Sequence, residues 1–234
     1  MPSTPLPWQP NDDSSKATIA YLSVGGDLYR YQEGFRAGAE ALMESLRQNT
    51  STLDLVVYPL VYCLRHAVEL ALKMVIRGAR GLLDQPGDFP DGHRLDSLWN
   101  TARPLLQQIF SNDEETSRRV TTVIESLRLI DPEGEGFRYP VSTKRKSTGN
   151  RRVPTIDPNL QYLDLGAFHR DVSEVLDLLG GADTGIDVYS DYKAEIAAER
   201  AQYQYEMESD QREYNAEIAA EMRAEMDFEY RNEY

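Results

Sequence analysis

The chain has 234 residues, of which 41% are hydrophobic, and its net charge is −14. This length and composition suffice for one core of about 150 residues and a polar remainder, so we expect one helix-rich domain with an appendage. The negative charge opposes general affinity for nucleic acid, because phosphate binding needs a cationic surface, but it leaves room for a local cationic site. The single cysteine, Cys63, has no partner in the chain, which excludes an intramolecular disulfide.

We predict an extended arm over residues 1–17, because this segment contains four prolines together with Ser and Asp residues. It has neither a basic start nor an apolar run, so we predict no signal peptide. Residues 53–64 come nearest to a membrane span, but charged residues follow within nine positions. We therefore predict a cytoplasmic protein that does not contact a membrane.

Apolar residues recur at helical spacing in five segments of the body. The predicted helices cover residues 27–49, 54–77, 93–110, 113–130 and 167–179, and the last is expected to end at Gly180 and Gly181. A loop rich in Gly, Pro and Asp is expected from Gly78 to Gly92. We assign residues 18–186 to one helical domain.

The helix predicted over residues 54–77 is the most apolar long segment, yet one side of it is polar. Four polar or aromatic side chains recur there at spacings of four, three and four, and Arg65 flanks them: Tyr62, His66, Glu69 and Lys73. A helix that is apolar nearly all round is normally buried, where charges must be paired or functional. This segment is therefore the predicted core helix and also the first candidate for a site.

A second cluster of charge lies in residues 144–152, which hold five cations and no apolar side chain. These cations, which we assign as candidate nucleic-acid ligands, are Lys144, Arg145, Lys146, Arg151 and Arg152. The segment predicts a basic loop that can steer RNA, or one that is simply solvated, since it lacks the aromatic side chains on which bases stack.

The C-terminal residues 187–234 carry fourteen Asp or Glu against five Lys or Arg. The sequence Ala-Glu-Ile-Ala-Ala-Glu at 194–199 returns at 216–221, which is two eleven-residue periods. We predict a long, acidic, tyrosine-rich helix with a thin apolar stripe, either solvated or bound to a protein partner.

Three interpretations of the polar stripe follow from the residues alone. His66 and Glu69 can present metal ligands from one helical face, with His93 as a third, although the spacing is common by chance and we predict neither a metal nor a cofactor. Alternatively, a histidine takes a proton from a ribose 2′-hydroxyl while Arg65 or Arg138 balances charge on the phosphate, and Glu69 orients the histidine or pairs with Arg65. The third interpretation is structural, with an intrahelical ion-pair ladder beside a hydrogen-bonded core histidine.

Three blocks of sequence resemble prokaryotic proteins of the HEPN superfamily. They are Tyr58-Pro59-Leu60 through Leu64-Arg65-His66-Ala67-Val68-Glu69-Leu70-Ala71-Leu72-Lys73, then Gly92-His93-Arg94-Leu95-Asp96-Ser97-Leu98-Trp99, then Asp131 with Phe137-Arg138-Tyr139-Pro140. The resemblance covers about residues 20–180. It implies an all-α bundle of four or five helices, a homodimer, and a metal-independent ribonuclease of a phage-defence, abortive-infection or toxin–antitoxin system.

The chain departs from the superfamily's catalytic motif, in which a histidine follows an arginine after four to six residues. Arg65 and His66 are adjacent, so their side chains lie about 100° apart on a helix. The candidate site is accordingly built from the resembling blocks as Arg65, His66, Glu69, His93 and Arg138. The alternative is a non-catalytic interaction or sensing module whose polar stripe is structural and whose acidic tail binds a partner.

Overall fold

The computed structural model describes residues 20, 27–110, 114–142 and 154–232, with only the backbone described at 224, 225 and 227–232. The predicted N-terminal arm and the predicted basic loop lie outside these residues. Within them the protein is all-helical and has no strand, as predicted for an all-α fold.

The described residues form five α-helices, which are connected by turns and loops. They are α1 (Leu28–Gln48), α2 (Leu53–Leu82), α3 (Leu95–Ile109), α4 (Glu114–Ile130) and α5 (Leu165–Asn232), with a short 3₁₀ turn, Thr50–Thr52, before α2. The boundaries of α1, α3 and α4 agree with the predicted helices within two residues, because each has one apolar face that recurs at helical spacing.

Helix α2 forms the centre of the bundle and packs against α1, α3 and α5. Its apolar side chains are fully buried along most of its length, including Leu60, Leu64, Leu72 and Ile76. By length and composition alone, residues Thr50–Leu82 form a helix apolar enough to cross a membrane, but just over half of its apolar window is buried inside the protein. This is the pattern that the core helix of a soluble protein also has.

Helix α2 is longer than predicted, because it continues through Gly78 to Leu82 where a loop was expected. Gly78 lies against α5, and a Cβ at this glycine would be 3.1 Å from Cγ2 of Ile186. The close approach of the two helices, with Ile186 fully buried, stabilises helical backbone that the local Gly content disfavours.

The prediction that a helix ends at Gly180 and Gly181 is wrong, because α5 runs without a break from Leu165 to Asn232. Leu176 and Leu179 are buried before the glycine pair, and Ile186 is buried after it. Two interior glycines cost roughly 1 kcal/mol each relative to alanine, and burial of the leucines and the isoleucine on both sides offsets that cost. The last core helix and the acidic helix are therefore one element.

Candidate functional site

The candidate site is organised by the carboxylate of Glu69, which α2 holds in the bundle with 1% of its side chain exposed. Oε1 accepts hydrogen bonds from Lys73 Nζ and His93 Nδ1, both at 2.8 Å. Oε2 lies 3.5 Å from His66 Nδ1 and 3.6 Å from Arg65 Nη1. We call these five residues, Arg65, His66, Glu69, Lys73 and His93, the Glu69 cluster.

The partners of Glu69 determine its protonation. Burial alone raises the pKa of the Glu69 carboxyl, but interactions with His66, Lys73 and His93 outweigh this and hold the pKa well below its usual range. The carboxylate is therefore ionised and only accepts hydrogen bonds. His93 must consequently carry a proton on Nδ1, which leaves Nε2 with a lone pair when the ring is neutral.

Arg65 lies beneath the surface, with 3% of the residue exposed. Its Nη2 donates to the backbone oxygen of His93 at 2.8 Å, and its Nε lies 3.4 Å from Oδ2 of Asp131. Nε has no hydrogen-bond partner in the described residues. Burial lowers the pKa of the guanidinium below its usual value, and the charges of Asp131 and Glu69 offset this only in part. Arg65 thus ties the segment before α3 to α2 and is not open to a ligand.

The loop of residues 131–140 covers the guanidinium of Arg65. Asp131 Oδ1 accepts a hydrogen bond from the backbone of Gly136 at 2.9 Å, which folds the loop back on its own start. Gly134 has a φ of +74°, and a Cβ there would lie 2.7 Å from Arg65 Nη1. Glycine is needed at this position both for the backbone conformation and for the space that the arginine occupies.

Aromatic rings form the wall beside the cluster. The His66 ring stacks on Tyr62 at 5.7 Å between centroids and meets the edge of Phe35 at 4.5 Å. Arg138, whose Nε donates to the backbone oxygen of Gly134 at 2.9 Å, places its guanidinium 5.5 Å from the Tyr62 ring centroid. Arg138 is exposed, so this side of the site offers a cation next to a ring face.

Exposure separates the groups that a ligand can reach from those that position them. The side chains of Glu69 and Arg65 are 1% and 4% exposed, whereas His66 is 22% and His93 is 56% exposed. The accessible polar groups are thus His93, Arg138 and part of His66.

The structure brings together four of the five predicted site residues, Arg65, His66, Glu69 and His93, and places Arg138 on the adjoining wall. The segment that carries His93 contacts Arg65 and Glu69 of α2, and Arg138 lies over the ring of Tyr62, also on α2. The candidate nucleic-acid ligands Lys144, Arg145, Lys146, Arg151 and Arg152 lie outside the described residues.

Sequence reasoning did not assign Lys73, Asp131 or Phe35 to the site. Lys73 was recognised on the polar stripe with Glu69, and Asp131 in the third resembling block, but neither was given a place in the candidate site. Phe35 belongs to α1, and no spacing rule links it to the polar stripe. Within the described residues no group of three or more His, Cys, Asp or Glu is arranged to hold a metal ion.

No family model, no curated protein and no solved structure matches this chain.

Proposed function

We propose that this protein is a HEPN-like, metal-independent endoribonuclease of a prokaryotic defence or toxin–antitoxin system, acting in the cytoplasm. The observation that carries the proposal is that one buried carboxylate has His93 Nδ1 at 2.8 Å from one oxygen and His66 Nδ1 at 3.5 Å from the other. Two histidines at one site can serve as the base and the acid of phosphodiester cleavage without a metal.

In the proposed reaction, Nε2 of His93 takes the proton of a ribose 2′-hydroxyl, and the 2′-oxygen forms a bond to the adjacent phosphorus. The bond from phosphorus to the 5′-oxygen breaks, and protonated His66 gives its proton to that oxygen. The products are a 2′,3′-cyclic phosphate and a 5′-hydroxyl. His93 is assigned as the base because it is the more exposed of the two rings.

The cations of the site have different roles in this proposal. Arg138 is exposed and binds the phosphate, while the Tyr62 ring beneath its guanidinium holds that cation at the site. Arg65 is buried, so we assign it a positioning role in place of the phosphate contact expected from the sequence. Glu69 orients both imidazoles.

The test is cleavage of end-labelled tRNA and single-stranded RNA by the full chain in EDTA. Cleavage is expected to leave cyclic phosphate ends and to stop when the 2′-hydroxyls are replaced by hydrogen. His93→Ala should lower kcat/KM at least 100-fold, which is what loss of a general base costs. His169→Ala is the matched control, because His169 pairs with Glu40 on the α1 side and lies outside the Glu69 cluster.

A second candidate function is a non-catalytic interaction or sensing module whose acidic helix binds a protein partner. The burial of Arg65 and Glu69 favours this function. The two residues form an ion pair with each other, Arg65 also pairs with Asp131, and Glu69 also pairs with Lys73, which is the arrangement of a structural network. If the full chain leaves both RNAs intact, and His66→Ala changes the Tm without a cellular phenotype, this second function replaces the first.

A further inference from the structure

Helix α5 continues far beyond the body of the protein. The last contacts are made by Tyr189, whose ring lies 5.8 Å from that of Phe110, and by Lys193, whose Nζ donates to the backbone oxygen of Leu82 at 2.8 Å. From residue 197 to residue 223 every side chain except that of Ser209 is exposed. This part of α5 has no packing partner among the described residues.

The projecting helix nevertheless carries a regular apolar stripe. Its residues, spaced alternately by four and seven, are Tyr192, Ile196, Tyr203, Met207, Tyr214 and Ile218. Five of them are among the exposed large hydrophobic side chains of the protein, with Tyr203 at 65% and Met207 at 53%. A helix that is surrounded by solvent does not require a repeating apolar stripe. The exposure of this stripe therefore indicates an interaction surface.

The period of the stripe indicates what covers it. Eleven residues make three turns, so Tyr192, Tyr203 and Tyr214 fall in one column, about 30° from the column of Ile196, Met207 and Ile218. The stripe keeps this eleven-residue period over about 40 Å of helix. It can therefore contact another long helix along its whole length. A second copy of the same segment has the identical period and matches it without any adjustment.

We propose that the projecting part of α5 pairs in parallel with the same segment of a second copy of this chain. The interface goes beyond the proposed function, because none of its residues belongs to the Glu69 cluster. It also places the two helical bodies at the same end of the paired helices.

The charges beside the stripe select the parallel orientation. On one side the stripe is flanked by two acidic columns, Glu195, Glu206 and Glu217, and Glu199, Asp210 and Glu221. The two columns on the other side hold no acidic side chain: Arg200, Gln211 and Met222 lie next to the stripe, and Lys193, Gln204 and Asn215 lie beyond them. Antiparallel helices bring like flanks together, so acidic columns would face each other, whereas parallel helices set the acidic columns against these columns, which carry Arg200 and amide side chains. A cationic partner of another kind would neutralise the acids but would not need an apolar stripe of constant period.

Disulfide trapping tests both the partner and the orientation. In the full chain with Cys63→Ser, the variants Ile196→Cys and Tyr203→Cys should each form a disulfide-linked dimer under mild oxidation, because equivalent residues face each other in parallel helices. Tyr205→Cys is the matched control, since Tyr205 is 71% exposed on the opposite face and should stay unlinked. Equal linking at Tyr205, or no linking at Ile196 and Tyr203, would overturn the proposal. So would linking of Ile196→Cys to Ile218→Cys in a mixture, which needs antiparallel helices.

A mass measurement gives a second, independent readout. Sedimentation equilibrium of the full chain should give a mass that is twice the 26.6 kDa of one chain. The double variant Tyr203→Glu, Met207→Glu should weaken association at least tenfold. The control variant Tyr205→Glu should leave association unchanged. Added salt should strengthen pairing, because residues 187–234 carry a net charge of −9 in each copy. A monomer at all concentrations and salts would show that the stripe serves another partner. RNA cleavage is measured separately, so failure of this interface and failure of the nuclease proposal are distinguishable.

Discussion

His93 Nδ1 lies 2.8 Å from Glu69 Oε1, although the two residues are 24 positions apart in the chain. The contact joins the loop before α3 to the middle of α2, and Arg65 strengthens it by donating to the backbone oxygen of the same histidine. A carboxylate buried at this junction is held ionised by its neighbours, and its removal affects both the stability of the bundle and the orientation of the imidazoles.

Glu69→Gln is expected to destabilise the protein by about 3–5 kcal/mol, because it leaves the charges of Arg65 and Lys73 without their shared buried counter-ion. The free energy of unfolding is measured by urea titration with tryptophan fluorescence, which reports on the buried Trp99. Glu44→Gln is the matched control, since Glu44 makes an exposed intrahelical pair with Arg47 and should change stability by less than about 0.5 kcal/mol. A similar loss in both variants would contradict the central role of Glu69.

The acid dependence of stability should change in the same variant. The pKa of Glu69 is lowered by folding, so its contribution is present above its usual value of 4.5 and is lost as pH falls towards the lower folded-state pKa. The gap in unfolding free energy between the parent and Glu69→Gln should therefore narrow as the pH falls from about 5 to about 3. The comparison is made by urea titration of both proteins in the same buffers. A gap that is constant or widens over this range would show that Glu69 is not ionised in the folded protein.

Gly134→Ala should cost at least about 1–3 kcal/mol, because φ at this position is +74° and the new Cβ would lie 2.7 Å from Arg65 Nη1. Gly92→Ala separates the two causes, since Gly92 also has a positive φ, +102°, but no atom lies within 4 Å of its Cβ position. Urea titration should show the greater loss for Gly134→Ala. Equal losses would mean that the 131–140 loop is not packed tightly on the arginine.

The helical periodicity of the sequence was sufficient to predict an all-helical fold with α2 at its centre, since the apolar side chains on one face of each helix define the core. It also placed Arg65, His66 and Glu69 together, because residues three and four apart share a helical face. These are properties of single segments.

The depth of Arg65 could not be predicted from the sequence. It depends on Asp131 and Gly134, which belong to a loop that closes over the arginine from 66 or more positions away in the chain. The continuity of α5 through Gly180 was missed for a similar reason. Local propensity favours a helix end at a glycine pair, and only the packing of α5 against α2 and α4 overrides it.

Alanine at Gly180 and Gly181 tests this continuity directly. If α5 passes through both positions, each change should stabilise the protein by about 0.5–1 kcal/mol, because alanine loses less backbone entropy in a helix and no atom lies within 4 Å of either Cβ position. If the helix instead ended there with a glycine in the left-handed conformation, the same changes would destabilise it. Gly185→Ala is the contrasting variant within the same helix, since its Cβ would lie 2.9 Å from the Phe110 ring, and it should destabilise. Urea titration of the three variants gives the sign of each change, and that sign decides whether the acidic helix is a rigid extension of the core helix.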